Sequence, residues 1–230
     1  MRRILFLALL CVLAVGCATS TEAVIRTAKM QSPPELAKVP VYILGDRNSV
    51  FQGSAIPLGE GEILTARHAV PDDEFMLLCN QLVSFAPTDV PNKVGVANDW
   101  AYLYVPGVPA SGLRCDFESE LTAGTPIYLI GYWSGANGSQ DPERAPTIVC
   151  AEVLPNNPNW NLPDRVIPVA TPHDEVLHGT SGGAAIILDP ETHEPVLVGV
   201  YSGRKEWRLF GLVLGSVQMV VRPEKCRVTR

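Results

Sequence analysis

From Val39 onward the chain is a succession of short β-type runs divided by turn residues. In the first half, residues 39–44, 56–58, 63–66, 74–78, 82–85 and 100–105 are predicted strands, rich in Val, Ile, Leu and aromatics. Residues 106–123 carry Gly107, Pro109 and Gly112 and are predicted as a loop. The second half predicts strands at 126–130, 147–153, 165–170, 183–187, 196–201 and 209–214. Many short strands at this spacing imply two β-barrels or a sandwich. No internal repeat of fixed period is evident.

Composition narrows the picture further. At 230 residues the chain holds one large domain or two small ones packed together. Hydrophobic residues are 47% and charged residues 18%, with 19 Gly and 20 Pro. Gly and Pro are the poorest residues for a helix interior, so a helical bundle or coiled coil is excluded. The net charge of −6 leaves no basic surface to neutralise phosphates, which excludes nucleic acid as a partner.

The N-terminus reads as an address. Met1-Arg2-Arg3 precedes an uncharged apolar run over 4–15, too short to span a bilayer and patterned like a secretory signal. Leu13-Ala14-Val15-Gly16-Cys17 resembles the lipobox of bacterial lipoproteins. That resemblance implies removal of residues 1–16, lipidation of Cys17, and a tether over 17–38 that contains Ser32-Pro33-Pro34. Ala18 after the cysteine implies transfer to the outer membrane of the cell envelope. Two or three acyl chains exceed the single chain that binds only marginally. Of the six cysteines, Cys11 leaves with the signal and Cys17 carries lipid. Cys79, Cys115, Cys150 and Cys226 remain, an even number that predicts two disulfides of undetermined pairing outside the cytosol. No C-x-x-C spacing supports zinc, and no cofactor is implied.

Three stretches carry candidate chemistry. In His178-Gly179-Thr180-Ser181-Gly182-Gly183 a serine sits among glycines, where a substrate backbone can approach and backbone amides can converge on one small space. Those are the needs of a nucleophile beside an oxyanion hole. In Ile63-Leu64-Thr65-Ala66-Arg67-His68 an apolar strand ends in a histidine. In Asn98-Asp99-Trp100-Ala101-Tyr102-Leu103 an acid heads an alternating strand; it suits either a turn cap or a partner that holds an imidazole in one tautomer.

The order His68, Asp99, Ser181 is that of the chymotrypsin type of triad. Here residues 39 to about 226 resemble the trypsin-like serine peptidase family. "ILTARHAV" is similar to its "TAAH" segment, "DWAYLYV" to its "D-[IL]-A-L" strand and "GTSGG" to its "G-[DN]-S-G-G". The resemblance implies an all-β fold of two packed six-stranded Greek-key barrels, chymotrypsin-like, with a short C-terminal helix near Met219-Val220. The first barrel would span 39–118 and present His68 and Asp99; the second would span 119–230 and present Ser181. It implies Ser181 as nucleophile, His68 as general base then acid, Asp99 as orienting carboxylate, and the amides of Gly179 and Ser181 as the oxyanion hole. Tyr201, Ser202 and Gly203 match the strand that meets the substrate backbone, and His178 would rim the cleft. Glu175 lies near the position that sets primary specificity, where an acid favours Lys or Arg. The implied partners are a protein or peptide substrate and the membrane.

The chain also departs from the family. Thr180 stands where zymogen-activated members have an Asp, and no "I-V-G-G" start occurs near Val39, so activation by insertion of a new N-terminus is not expected. Arg67 replaces a small residue before the histidine. Two other readings compete. A nucleophile elbow of α/β-hydrolases needs an acid and then a histidine after the serine, and only His193 follows, without the strand–helix units. A catalytically silent peptidase scaffold, acting as an envelope binding or assembly protein, is the alternative from another class.

Overall fold

The computed structural model describes residues 32–46, 51–59, 61–72, 74–79, 82–87, 99–132, 146–171, 180–209 and 212–224. Their regular structure is thirteen strands and three short 3-10 turns, Pro34–Lys38, Arg67–Ala69 and Pro158–Trp160. The first sheet contains β1 (Tyr42–Gly45), β2 (Phe51–Pro57), β3 (Glu62–Thr65), β4 (Glu74–Cys79), β5 (Leu82–Pro87) and β6 (Ala101–Tyr104). Its order is β5-β4-β1-β2-β3-β6. The second contains β7 (Arg114–Cys115), β8 (Pro126–Gly131), β9 (Thr147–Val153), β10 (Val166–Ala170), β11 (Ala184–Leu188), β12 (Pro195–Leu209) and β13 (Leu212–Val221). Its order is β11-β8-β9-β10-β13-β12-β7, and β11 also pairs with β12.

That extra pairing shuts six strands of the second sheet into a ring, with β7 attached outside. The first sheet follows the same circular order, first-second-third-sixth-fifth-fourth, but stays open between its fifth and sixth strands. The duplication is one of topology. It leaves no periodic trace in the sequence because the connections differ in length between the halves.

Each predicted strand has a counterpart, and the differences have simple causes. Strand β7 lies inside the predicted loop; two residues pairing in parallel with Val196 and Leu197 are too short to leave a pattern. The predicted strand 209–214 straddles a reversal, since Leu209 pairs with Leu212 across the β12–β13 hairpin. Apolar residues on both sides hide that turn. Met219 and Val220 belong to β13, and no helix follows as far as Glu224; residues 225–230 lie outside the described residues. The docked part of the chain also begins earlier than the tether prediction placed it. Leu36, in the turn Pro34–Lys38, is 1% exposed and packs into the main core.

Strand β8 explains how the two sheets are held. Side chains alternate across a strand. Ile127 and Leu129 enter the cluster inside the closed ring with Val169, Val198 and Val220. Tyr128 and Ile130 join the cluster that contains Ile56 and Leu64 of the first sheet. Buried on both faces, this strand reads as an unbroken apolar run. A third cluster forms where Met219, Val217 and Val166 are covered by Trp100 and Trp160.

The disulfide expectation is corrected at Cys115 and Cys150, while the side chain of Cys79 lies outside what the structure describes. No disulfide occurs among the described residues, and Cys115 and Cys150 both carry thiols. Cys115 sits on the attached strand β7 and Cys150 on β9, with β12, β11 and β8 between them along the ring. Cys226 lies outside the described residues. Burial pushes the Cys150 thiol up to about 11, with a smaller contribution from Glu152. The thiol of the unfolded chain ionises first as pH rises, so the native state loses stability between pH 9 and about 11 and keeps it below pH 9. Native protein treated with iodoacetamide at neutral pH should leave Cys150 unmodified, and denatured protein should not. Equal modification of Cys150 in both states, read by peptide mass mapping, would contradict its burial.

Candidate active site

Strand register brings the first two residues together. Strands β3 and β6 are antiparallel with Thr65 opposite Ala101. His68 follows β3 by one 3-10 turn and Asp99 precedes β6, so both fall at the same end of the sheet. The Asp99 carboxylate accepts three hydrogen bonds. The His68 backbone N–H reaches Oδ1 at 2.9 Å, and His68 Nδ1 reaches Oδ2 at 2.7 Å. The Ser202 hydroxyl donates to the same Oδ2 at 2.5 Å. An ionised carboxylate can only accept, so Nδ1 carries the proton and Nε2 keeps its lone pair. The imidazole side chain is 44% exposed while the carboxylate side chain is 13% exposed. The result is an imidazole held in one orientation, facing outward on a buried carboxylate.

Ser181 opens the turn before β11, and the first sheet holds that turn. The Ser54 N–H of β2 donates to the Ser181 carbonyl at 2.7 Å. The Ser54 carbonyl accepts from the Thr65 hydroxyl at 2.6 Å, and its side-chain oxygen accepts from the Tyr132 N–H at 2.9 Å. On the other side, Gly182 N–H donates to the Tyr201 carbonyl and Tyr201 N–H to the Gly183 carbonyl, at 2.8 and 2.9 Å. Gly53 fits between the Ser181 carbonyl and Ala69, the residue after His68; a Cβ there would lie 2.8 Å from the Ala69 methyl and collide with the carbonyl. Ser181 and the histidine turn thus flank a single glycine. Gly182 has φ of +86°, and a Cβ there would collide with the Ser54 carbonyl and the Thr65 hydroxyl.

The described residues therefore bring His68, Asp99 and Ser202 into direct contact and set Ser181 against the same end of β2 and β3. Glu175, His178 and Gly179 lie outside the described residues, as does Cys17. Of the three residues matched to the substrate-facing strand, Tyr201 has its amide and carbonyl bonded to the Gly182–Gly183 turn, Ser202 turns its hydroxyl to Asp99, and Gly203 has open space around it. Ser54 and Thr65 escape sequence reasoning, because nothing in a strand's apolar pattern marks which hydroxyl will bond the next strand, as Thr65 does, or meet the other sheet, as Ser54 does. Arg67 is 2% exposed, with Nη1 donating to the Val70 carbonyl at 3.5 Å. It packs beneath the histidine turn. His193 (φ +59°) occupies an exposed hairpin turn and Asp72 is an exposed turn residue, both apart from this site.

Comparison with known proteins bears on the architecture. No protein-family model matches the chain, and no curated protein sequence matches it. Solved structures do match. The serine endoprotease from Yersinia pestis is similar at 16% sequence identity and a TM-score of 0.52, over 84% of this chain. The chain spans 64% of that protein's length. The fold is the chymotrypsin-like two-barrel fold, with one barrel closed and the other a six-stranded half-barrel.

The packing around Gly182 makes a direct prediction. Gly182→Ala places a side chain in left-handed backbone, which costs about 1–2 kcal/mol by itself, and adds the collision with β2. Gly107, at φ +85° with nothing near its Cβ position, isolates the backbone part. Urea unfolding should show a larger loss for Gly182→Ala than for Gly107→Ala. Equal losses would mean that the turn is not clamped by the first sheet.

Proposed function

We propose that the chain is a serine endopeptidase that cleaves protein or peptide substrates through an acyl-enzyme. The observation that carries this reading is the Asp99 carboxylate gripping His68 at both the backbone N–H and Nδ1. A carboxylate so placed selects the tautomer with a free Nε2 and stabilises the imidazolium that forms when Nε2 takes a proton. In this reading Ser181 Oγ attacks the scissile carbonyl carbon while His68 removes its proton. The oxyanion of the tetrahedral intermediate is received by the amides of Gly179 and Ser181, each such donor contributing about 2.7–4 kcal/mol. His68 then returns the proton to the leaving amine, and water attacks the acyl-enzyme by the reverse sequence. Ser202, bonded to Oδ2, keeps the carboxylate from rotating away from the ring.

Reaction with a fluorophosphonate tests the assembled nucleophile. The full chain should be labelled stoichiometrically at Ser181, as located by mass mapping, and Ser181→Ala should not be labelled. A folded protein that stays unlabelled would move the silent-scaffold reading ahead. Asp99→Asn should leave the unfolding midpoint nearly unchanged and lower turnover by about four orders of magnitude. Undiminished turnover would remove Asp99 from the mechanism.

The lipobox-like segment supports a second part of the proposal, that the peptidase is held in the bacterial envelope, at the outer membrane, by acyl chains on Cys17. Expressed in a bacterial host, the protein should partition with membranes and the Cys17→Ser variant should not. Equal distribution of the two would argue for a soluble secreted protein.

A further inference from the structure

Two consecutive residues of β12 hold the two ends of the site. Tyr201 grips the Ser181 turn through its backbone: its N–H donates to the Gly183 carbonyl at 2.9 Å, and its carbonyl accepts from the Gly182 N–H at 2.8 Å. Ser202, next in the chain, donates its hydroxyl to Asp99 Oδ2 at 2.5 Å. The strand is irregular at this point. Tyr201 pairs with Val220 of β13 and Gly203 pairs with Met219, so Ser202 is an extra residue in the ladder, a β-bulge. In an even ladder Ser202 would stand opposite Met219 and share its face, where Met219 packs in the cluster covered by Trp100 and Trp160. The bulge releases Ser202 from that position. Gly203 completes it at φ +138°, a conformation that a residue with a side chain rarely adopts.

An extra residue lacks its own rung in the ladder, so the shape of the bulge must be held by other contacts. Here a side-chain bond spans it. The Tyr201 phenol donates to Gln218 Oε1 at 2.6 Å. Gln218 lies on β13 opposite Arg204, and on its other side it faces Val169 of β10. The bond therefore ties the residue before the bulge to the strand position opposite the residue after it, and brackets Ser202 and Gly203 between. Both partners are inside the second barrel, Tyr201 at 2% and Gln218 at 3% exposure. The cluster that Tyr201 joins is otherwise aliphatic. Polar groups in such surroundings weaken packing unless they are paired, and once paired they fix one arrangement.

Resting on the peptidase reading above for its kinetic part, we propose that Gln218 is a positioning residue that acts through Tyr201. Its bond to the phenol locks the Ser202 bulge, and the locked bulge holds the Asp99 carboxylate on one side and the Ser181 turn on the other. The device takes no part in proton transfer and contacts no substrate. It sets the distance between two groups that the two sheets present separately.

The test compares full-length variants by two readouts. One is the far-downfield proton resonance of His68 Nδ1–H, assigned by its absence in His68→Ala. The other is the second-order rate of fluorophosphonate labelling at Ser181. Tyr201→Phe/Gln218→Leu removes the bond and leaves neither partner orphaned, an exchange that can be nearly neutral for stability. Tyr201→Phe alone keeps the ring and gives the same comparison if the double variant does not fold. Ile127→Val, in the same cluster, opens a small cavity and serves as the control for general loosening. Loss of the bond should move the resonance and slow labelling by about tenfold to a hundredfold, the scale of a small misplacement of reacting groups. Ile127→Val should change neither. A folded double variant with the native resonance and labelling rate overturns the proposal, and so does an equal change in Ile127→Val. Native protein that is never labelled overturns the peptidase reading, while the resonance still decides whether the pair positions Asp99 and His68.

Discussion

Ser54 is the joint on which the site depends. One residue of β2 donates its N–H to the Ser181 carbonyl, accepts the Thr65 hydroxyl on its own carbonyl, and accepts the Tyr132 N–H on its side chain. It is 0% exposed, so none of these groups has water as an alternative partner. A buried polar group left unmade costs about 1–3 kcal/mol. Sliding one sheet over the other would break the bonds to Ser181 and Tyr132 together, while the Thr65 bond fixes Ser54 within its own sheet. The geometry between the histidine on one sheet and the serine on the other is therefore set by a hydrogen-bonded junction, over and above the apolar contact beneath it.

The junction matters because the candidate site residues are divided between the two halves. The first sheet supplies His68 and Asp99; the second supplies the Ser181 turn and Ser202. Ser202 crosses back to Asp99, so the carboxylate too is held from both sides. Taking a carboxylate out of water is costly unless hydrogen bonds replace its hydration. Asp99 receives three, and two of them come from His68. The bonds that make the burial tolerable are the same ones that orient the ring.

Much of this was legible in the residue order. Apolar runs located the strands because a strand buried on one or both faces must be apolar in that way, and β8 is the clearest case. Ser181 among glycines was legible for a related reason: a turn wedged against β2 leaves no volume for a Cβ at Gly182. Other features were silent. Strand β7 is too short to pattern, and the β12–β13 reversal is hidden within apolar residues. The expected disulfides rested on an even count of cysteines, yet a count says nothing of distance. Cys150 is placed in the core shared by the two sheets, beside Tyr128, as a small apolar side chain.

The sequence by itself determined the strand-rich class, and it singled out His68, Asp99 and Ser181 as the candidate residues. These follow from local composition and spacing. The tertiary structure decided which hydroxyl meets Asp99, which peptide group holds Ser181, and that Tyr201 and Gln218 share one interior space. Each of those contacts joins residues far apart in the chain, through a strand register that local propensity does not encode. Register is chosen by the burial of whole faces at once, so the contacts it creates exist only in the folded molecule.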